Sequence, residues 1–235
     1  MKAAVFLSGC GVYDGAEIQE SVLTLLHLKK NGFDYRCFAP DIVQHHVIDH
    51  RSGAEMAETR NVLTEAARIA RGAIAPLSEF KAEDYDAVVL PGGFGVAKNF
   101  SAWAFDGPQG AILPEVAAAL RATLSAKKAI AALCMAPTTL ALAIGTAGPS
   151  LALTVGSCDA PSPYPIAEIA AGIASLGMKS FDCAADQVCI DRDNKIVTAP
   201  CYMMEADILA VARGVAAAMA ALKMLVETSG NRVGL

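Results

Sequence analysis

The sequence AIAALCMAP, residues 129–137, places a cysteine at the end of an apolar run. Cys134 has small residues two positions to either side, Ala132 and Ala136, as in a tight strand-to-helix turn that carries a nucleophile. Pro137 would lie near the start of the next helix, where a missing N–H costs little. We therefore expect the sulfur to face the positive end of that helix, which favours the thiolate. The alternative is a buried, unreactive cysteine, a common state of this residue in cores.

A glycine-rich segment, LPGGFG at 90–95, ends another apolar run. Its backbone N–H groups are not screened by side chains, so the segment could hold an oxyanion, with the N–H of Met135 as the second donor. The alternative is a plain glycine turn. The segment is not a phosphate-binding loop, because no Gly-Lys-Ser/Thr follows it.

Glu17 stands at the start of the first predicted helix, beside the end of the first predicted strand. A carboxyl group there could hydrogen-bond a neighbouring sulfur or transfer a proton. It could equally be a glutamate that complements the positive end of the helix. Position alone does not decide between these interpretations.

All four histidines precede residue 51, so no histidine stands next to Cys134 or after it in the chain. Three of them lie in QHHVIDH, residues 44–50. The four-residue spacing of His46 and His50 would suit a metal on a helix, but the Val-Ile pair between them argues against a helix. We expect no metal, and instead a histidine of this segment folding over the active site.

Apolar runs alternate with helical patterns along the chain, which predicts an α/β domain with a mostly parallel sheet. The predicted strands are 2–8, 35–40, 86–93, 129–133 and 151–155, and a hairpin is expected at 187–199. A first helix is predicted to begin near residue 18. The other predicted helices span about 58–71, 112–125, 136–144, 165–176 and 204–226. We expect one domain over 1–235, with an insertion at about 41–81.

Composition excludes several classes of protein. Hydrophobic residues make up 54% and charged residues 18% of the chain, and the net charge of −5 argues against nucleic-acid or anionic-membrane binding. Seven cysteines without a CxxC pair indicate a reducing compartment. The segment before Cys10 is too short for a secretory signal, and we expect no apolar run near the roughly 20 residues that span a bilayer. A cytoplasmic location is therefore expected.

Five blocks carry a resemblance to a known family. They are FLSGCGVYDGAEIQE (6–20), RNVLTEAARIARG (60–72), DAVVLPGGFGVAKN (86–99), AALCMAP (131–137) and DNKIVTAPCYM (193–203). With these blocks the chain resembles the ThiJ/PfpI superfamily, the class I glutamine-amidotransferase-like fold. Within it, the chain is similar to the enhancing-lycopene-biosynthesis (ElbB) isoprenoid-biosynthesis glyoxalases. The blocks span nearly the whole chain.

The resemblance implies a flavodoxin-like three-layer α/β sandwich, usually a homodimer. It implies Cys134 as nucleophile, Glu17 as its carboxyl partner, and the N–H groups of Gly93 and Met135 as the oxyanion hole. Further pocket residues are expected among Gly92, Cys10, His50 and His46. No cofactor is implied.

The activity implied is that of a glutathione-independent glyoxalase of the hydro-lyase type, with a small reactive aldehyde as substrate. Glyoxal or methylglyoxal would become glycolate or lactate through a hemithioacetal on Cys134, at a modest rate. The chain departs from protease-like and amidotransferase members, because Met135 stands where the former have histidine and no downstream histidine exists. The alternatives are a redox-sensing or stress-protective protein with an oxidisable Cys134, a protein deglycase, and a regulatory partner of a biosynthetic pathway.

Overall fold

The computed structural model describes residues 1–230 and is organised around a seven-stranded sheet. Within that range the strands are β1 (Lys2–Phe6), β2 (Asp34–Ala39), β3 (Ile74–Pro76), β4 (Ala87–Leu90), β5 (Ala129–Leu133), β6 (Ala152–Gly156), β7 (Lys179–Asp182), β8 (Cys189–Asp191) and β9 (Ile196–Ala199). The α-helices are α1 (Ile18–Lys30), α2 (Val62–Ile69), α3 (Gly95–Lys98), α4 (Trp103–Asp106), α5 (Pro114–Ser125), α6 (Ala136–Ile144), α7 (Ile166–Ser175) and α8 (Ile208–Gly230).

The central sheet has the strand order β3-β2-β1-β4-β5-β9-β8. All neighbours are parallel except β8 and β9, which form the predicted antiparallel hairpin. Every residue of β4, β5 and β9 is buried, as expected of central strands covered on both faces. The predicted flavodoxin-like α/β fold is confirmed. The single-domain assignment with an insertion at 41–81 stays a prediction.

The predicted strand at 151–155 does not join the central sheet. It forms β6, which pairs with β7 in a separate two-stranded sheet. The N–H of Ala152 donates to the carboxylate of Asp191 (2.9 Å), and the N–H of Thr154 donates to the hydroxyl of Thr198 (2.9 Å). Because side chains of β8 and β9 satisfy these donors, β6 lies against the hairpin without a backbone ladder.

Helix α8 overturns the expectation that no apolar run approaches membrane-spanning length. Its segment Ile208–Thr228 has 21 residues and a mean hydropathy of 1.8, enough by length and composition to cross a bilayer. In this fold, however, one face of α8 packs against β5, β9 and α1. Val211, Val215, Met219 and Leu222 are fully buried on that face, so α8 is a core helix here.

Helix α1 presents its polar side to the core. Glu20, Ser21, Thr24 and Leu28 are buried, at the spacing of one helical face. Three apolar side chains on the opposite side are about half exposed, namely Ile18, Val22 and Leu26. The expected homodimer stays a prediction, which sedimentation equilibrium would check.

The carboxyl ends of four parallel strands meet at one edge of the sheet, where ligands collect in such folds. The loop from β1 to α1 lies there, as do the glycines after β4. Cys134 follows β5 directly, and Cys201 follows β9 after one proline. The topology therefore brings the predicted nucleophile and the predicted oxyanion loop together.

Candidate active site

Cys134 occupies a strained turn between β5 and α6. Its φ is 56°, in the left-handed region that residues with a side chain seldom adopt. The turn is fixed from both sides, because the Cys134 N–H donates to the Ala199 carbonyl (2.8 Å) and the helix begins at Ala136. Cys134 as a whole residue is 6% exposed. The predicted nucleophile turn is therefore present.

Gly92 lies directly against the sulfur. A Cβ on this residue would stand 2.2 Å from the Cβ and 2.8 Å from the Sγ of Cys134. The Gly92 carbonyl also accepts a hydrogen bond from the Glu17 N–H (2.9 Å), which ties the end of β4 to the start of α1. Only glycine allows the loop to approach both partners this closely.

The carboxyl group that contacts the sulfur belongs to Glu20. Its side chain is fully buried and forms a hydrogen bond with the Cys134 thiol. Glu20 Oε2 accepts from the N–H of Gly92 (3.0 Å) and Oε1 accepts from the N–H of Tyr202 (3.2 Å). These donors hold the carboxyl group between the loops that follow β4 and β9.

Glu17, predicted to be the partner of the sulfur, does not hold the position beside Cys134 that Glu20 occupies. It precedes α1 as the N-cap, and its carboxylate accepts from the Glu20 N–H (2.5 Å). The side chain therefore folds back along the helix, while Glu20, three residues later, points inward to Cys134. Glu17 nevertheless lines the cavity beside the sulfur. The site thus holds two carboxyl groups, one against the thiol and one at the cavity.

Burial dominates the electrostatics of this pair. Desolvation, with a smaller contribution from the charge of Glu17, raises the pKa of Glu20 to about 8. Desolvation followed by the charge of Glu20 raises the pKa of the Cys134 thiol well above its ordinary value. The expectation that the helix terminus makes the resting sulfur a thiolate is therefore not met. Burial and the carboxylate outweigh the favourable backbone donors.

The N–H groups of Gly93 and Met135 converge on the sulfur, and both favour its charged form. Gly93 has a φ of 94°, and a Cβ there would stand 2.4 Å from the Glu17 nitrogen. A side chain at this position would therefore displace the donor. The two N–H groups predicted to form the oxyanion hole are thus neighbours of Cys134. Their role in binding an oxyanion stays a prediction.

A small cavity opens beside the sulfur. Its volume is about 10 Å³, room for roughly one water molecule. Its lining is mostly apolar and aromatic, with one carboxyl group. It consists of Val12, Glu17, Gly93, Phe94, Cys134, Met135, Tyr164, Tyr202 and Met203. Tyr164 also lines an open groove of about 260 Å³ that contains Cys158.

Three residues expected near the pocket do not line this cavity. Cys10 is half-buried near the charged side chains of Glu65 and Arg68. His46 contacts the ring of Phe105, with centroids 5.7 Å apart. His50 stacks on Tyr13 and accepts a hydrogen bond from the Tyr13 N–H (3.3 Å). The insertion therefore covers the β1–α1 loop instead of reaching the sulfur.

Sequence reasoning missed Glu20, Tyr164 and Tyr202. Glu20 was detectable in principle, because Glu20, Thr24 and Leu28 share one helical face. That face reads as polar, however. The apolar residues Ile18, Val22 and Leu26 lie on the opposite side of α1, which apolar spacing would mark as the buried face. Tyr164 and Tyr202 stand in loops and carried no signal. Within residues 1–230, no three His, Cys, Asp or Glu side chains are grouped so that they could hold a metal.

Comparison with known families agrees with this geometry. The model of the DJ-1/PfpI family matches residues 10–152, more than half of the chain, including the Cys134 turn and both glutamates. The chain belongs to the DJ-1/PfpI family. Among solved structures, this family member is similar to an isoprenoid biosynthesis protein with an amidotransferase-like domain from Ehrlichia chaffeensis. The two share 34% identity and a TM-score of 0.86, over 96% of this chain and 99% of that one.

Two curated proteins are similar over most of the family member's length. An ES1 protein homolog, mitochondrial, from Rattus norvegicus is 39% identical over 98% of this chain and 85% of its own length. A glutamine amidotransferase-like class 1 domain-containing protein 3, mitochondrial, from Homo sapiens is 42% identical over 87% of this chain and 75% of its own length. The suggested resemblance to the amidotransferase-like isoprenoid-biosynthesis group is confirmed.

These relatives contradict the expected cytoplasmic location. The proteins from Rattus norvegicus and Homo sapiens, and an ES1 protein from Danio rerio, are all named as mitochondrial. The cysteine content indicates only that thiols stay reduced, and it does not by itself identify the cytosol. The cytoplasmic expectation is withdrawn.

Proposed function

We propose that this DJ-1/PfpI member is a cofactor-independent enzyme that converts small dicarbonyls, glyoxal and methylglyoxal, into glycolate and lactate through Cys134. One observation carries the proposal. The Cys134 sulfur contacts the Glu20 carboxyl group and two backbone N–H donors, and it borders a cavity with a second carboxyl group. A nucleophile, a base and an oxyanion site are the parts that addition to a carbonyl requires.

The first step is addition of sulfur to the aldehyde carbon. Glu20, held by two N–H donors, accepts the thiol proton as the carbon–sulfur bond forms. The carbonyl oxygen becomes an oxyanion close to the N–H groups of Gly93 and Met135. Glu20 then gives the thiol proton to this oxygen, and the product is a hemithioacetal. Because the resting sulfur is a thiol, a neighbouring base is needed for this step.

The second step moves a proton between the two carbons of the bound dicarbonyl. Glu17 is suited to it, because its carboxyl group lines the cavity and burial raises its pKa. Removal of the proton from the hemithioacetal carbon gives an enediolate. Return of this proton to the neighbouring carbon, with the hydroxyl proton passing to the neighbouring oxygen, gives a thioester of a 2-hydroxy acid. Water then attacks the thioester, releases the acid and returns the thiol. Overall, one dicarbonyl and one water give one hydroxy acid.

The cavity restricts the substrate. A volume of about 10 Å³ is smaller than methylglyoxal, so binding requires the side chains of the wall to move. Tyr164 lines both the cavity and the open groove, so displacing its side chain would join the two. Glyoxal, the smallest dicarbonyl, should be the best substrate. Glycated protein side chains fit poorly, which disfavours the deglycase alternative.

Lactate formation from methylglyoxal tests the proposal directly. The purified protein is incubated with methylglyoxal without glutathione, and D- and L-lactate are measured. Cys134→Ser should abolish turnover, whereas Cys158→Ser, at an exposed cysteine outside the cavity, should retain it. Equal lactate formation by the wild type and Cys134→Ser, or none by the wild type, would rule out the proposal.

A second candidate is two-electron oxidation of Cys134 by a hydroperoxide, which would make the protein a redox sensor. The size of the cavity favours it, because hydrogen peroxide is little larger than the single water that the cavity holds. A protonated Glu20 would stabilise the sulfenic or sulfinic product by hydrogen bonding. Mass measurement of Cys134 after peroxide treatment tests this candidate independently of aldehyde turnover.

A further inference from the structure

A second cysteine stands beside the active site and has no part in the aldehyde chemistry. Cys201 follows β9, is fully buried, and has a φ of 50°. Cys134 and Cys201 therefore share two unusual properties, a buried thiol and a left-handed backbone. Residues with a side chain seldom adopt this conformation, and such positions concentrate at functional sites.

The strand register brings these two cysteines together. β5 and β9 are parallel neighbours, and Leu133 is paired with Ala199 at their carboxyl ends. Cys134 is the next residue after Leu133, and Cys201 follows Ala199 by two. Paired strands lie about 4.8 Å apart, and a disulfide requires a Cα separation of roughly 4.4–6.8 Å. Cys134 and Cys201 therefore lie one register step apart at the ends of neighbouring strands, which is compatible with the Cα separation of a disulfide.

Contacts between the two loops support the same conclusion. The backbone amide of Cys134 lies within hydrogen-bonding reach of the Cys201 sulfur. Glu20 lies next to both thiols, and its carboxyl group accepts from Gly92 on one side and from Tyr202, the neighbour of Cys201, on the other. The carboxyl group that forms a hydrogen bond with the Cys134 thiol therefore also acts electrostatically on the Cys201 thiol.

We propose that Cys201 is a resolving cysteine, which forms an intramolecular disulfide with Cys134 after Cys134 is oxidised by a hydroperoxide. This inference rests on the second candidate function and adds the fate of the oxidised sulfur. Formation of the disulfide would inactivate the nucleophile reversibly, since a dithiol reductant restores both thiols.

The chemistry balances in two steps. Glu20 takes the proton of the Cys134 thiol, the sulfur attacks one peroxide oxygen, the O–O bond breaks, and an alcohol or water leaves with that proton. Sulfur is oxidised by two electrons to the sulfenic acid, and the peroxide is reduced. The Cys201 sulfur then attacks the Cys134 sulfur, and the hydroxyl group leaves as water with the Cys201 proton. Glu20, which forms a hydrogen bond with the Cys134 sulfur and accepts from the backbone N–H next to Cys201, is the nearest carboxyl group on the path of that proton.

Peptide mapping of the full chain tests the proposal. Trypsin leaves Cys134 in a peptide of residues 129–179, which also contains Cys158, and leaves Cys201 in a peptide of residues 196–213. The protein therefore carries Cys158→Ser, so that the cross-link is unambiguous. It is treated with a small excess of hydrogen peroxide, its free thiols are blocked with iodoacetamide in denaturant, and it is digested without reductant.

We expect the two peptides to be joined, with the loss of two hydrogens, and to separate on reduction. Adding Cys201→Ser should leave Cys134 with one or two extra oxygens, whereas Cys37→Ser, at a buried cysteine on β2, should leave the cross-link intact. A Cys134 that gains oxygen while Cys201 stays free overturns the resolving role but not oxidation. A Cys134 that stays unmodified overturns both.

Discussion

The Glu20 carboxyl group, and not that of Glu17, lies in hydrogen-bonding contact with the sulfur of Cys134. Both glutamates are buried in the same region, three residues apart, yet their surroundings differ. Glu20 accepts two backbone N–H groups from loops of the central sheet, whereas Glu17 caps its own helix and borders the cavity. In the proposed reaction, this difference is why Glu20 takes the thiol proton and Glu17 the substrate proton.

Glu20→Gln is the first test of that division. The amide keeps an acceptor for one N–H donor but cannot accept the thiol proton at neutral pH. We expect turnover of methylglyoxal to fall by about 10²–10⁴-fold, the usual contribution of a positioned base. Glu17→Gln should retain thiol reactivity toward peroxide but lose lactate formation. Full activity in Glu20→Gln would contradict the assignment.

The rate should rise with pH through about 8. Both thiol and carboxyl group have raised pKa values, so the pair is mostly doubly protonated at pH 6. Addition requires the pair to lose one proton. The group with the lower pKa is Glu20, at about 8, so it ionises first. A pH profile of kcat/KM checks this, and a profile that is flat between pH 6 and 9 would argue against it.

The same buried carboxyl group should affect stability. The pKa of Glu20 is about 8 in the folded protein, against an ordinary value of 4.5, so the folded state holds a proton that the unfolded state releases. The contribution of the Glu20 carboxyl group to the free energy of unfolding is fully present below pH 4.5 and is lost as pH rises through 8. Glu20→Gln should therefore gain stability relative to the wild type between pH 5 and pH 8. Urea unfolding at both pH values measures the difference.

Gly92→Ala should inactivate the enzyme without unfolding it. The added methyl group would meet Cys134 Cβ and Glu20 Oε2 at 2.2 Å and 2.6 Å, so the sulfur and carboxyl group must separate. A misplacement of about 1 Å can cost roughly 10²-fold in rate. Gly32→Ala is the control for backbone strain without a clash, because its φ is 82° but nothing lies within 4 Å of its Cβ position; it should lose some stability and keep the rate. Circular dichroism would establish that both variants fold.

Tyr164 should set the size limit of the substrate. We expect the wild type to prefer glyoxal over methylglyoxal and to turn over phenylglyoxal poorly, since the cavity holds about 10 Å³. Tyr164→Ala joins the cavity to the open groove. It should reduce the ratios of kcat/KM between glyoxal and the larger dicarbonyls by about tenfold or more. Tyr35→Ala, on β2 and outside the cavity, should leave the ratios unchanged. Equal ratios in the wild type and Tyr164→Ala would exclude Tyr164 as the limiting wall.

Much of the fold was predictable from local patterns. Helix α6 begins and ends where the pattern places it, because the small residues around Cys134 and the proline after it define the turn. The hairpin of β8 and β9 also follows from its turn residues. The membership of β6 in a second sheet was not predictable, since it depends on Asp191 and Thr198, side chains far away in the chain.

The site was predictable in part. Cys134, Gly92, Gly93 and Met135 follow from motifs, and topology brings them together. Glu20 was hidden because its burial depends on the loops after β4 and β9, which are distant in sequence, and apolar spacing alone favours the wrong face of α1. The low exposure of the thiol also has a tertiary origin, since Tyr164 and Met203 reach the cavity from separate loops.

The narrow cavity has a practical consequence for reagents that report on cysteines. A maleimide that carries a fluorophore would react with Cys158, which is exposed, and could not reach Cys134 behind Tyr164. A proteome-wide labelling survey would then rank Cys158 as the reactive residue of this chain. Such a survey would then overlook Cys134, the residue to which we assign the chemistry.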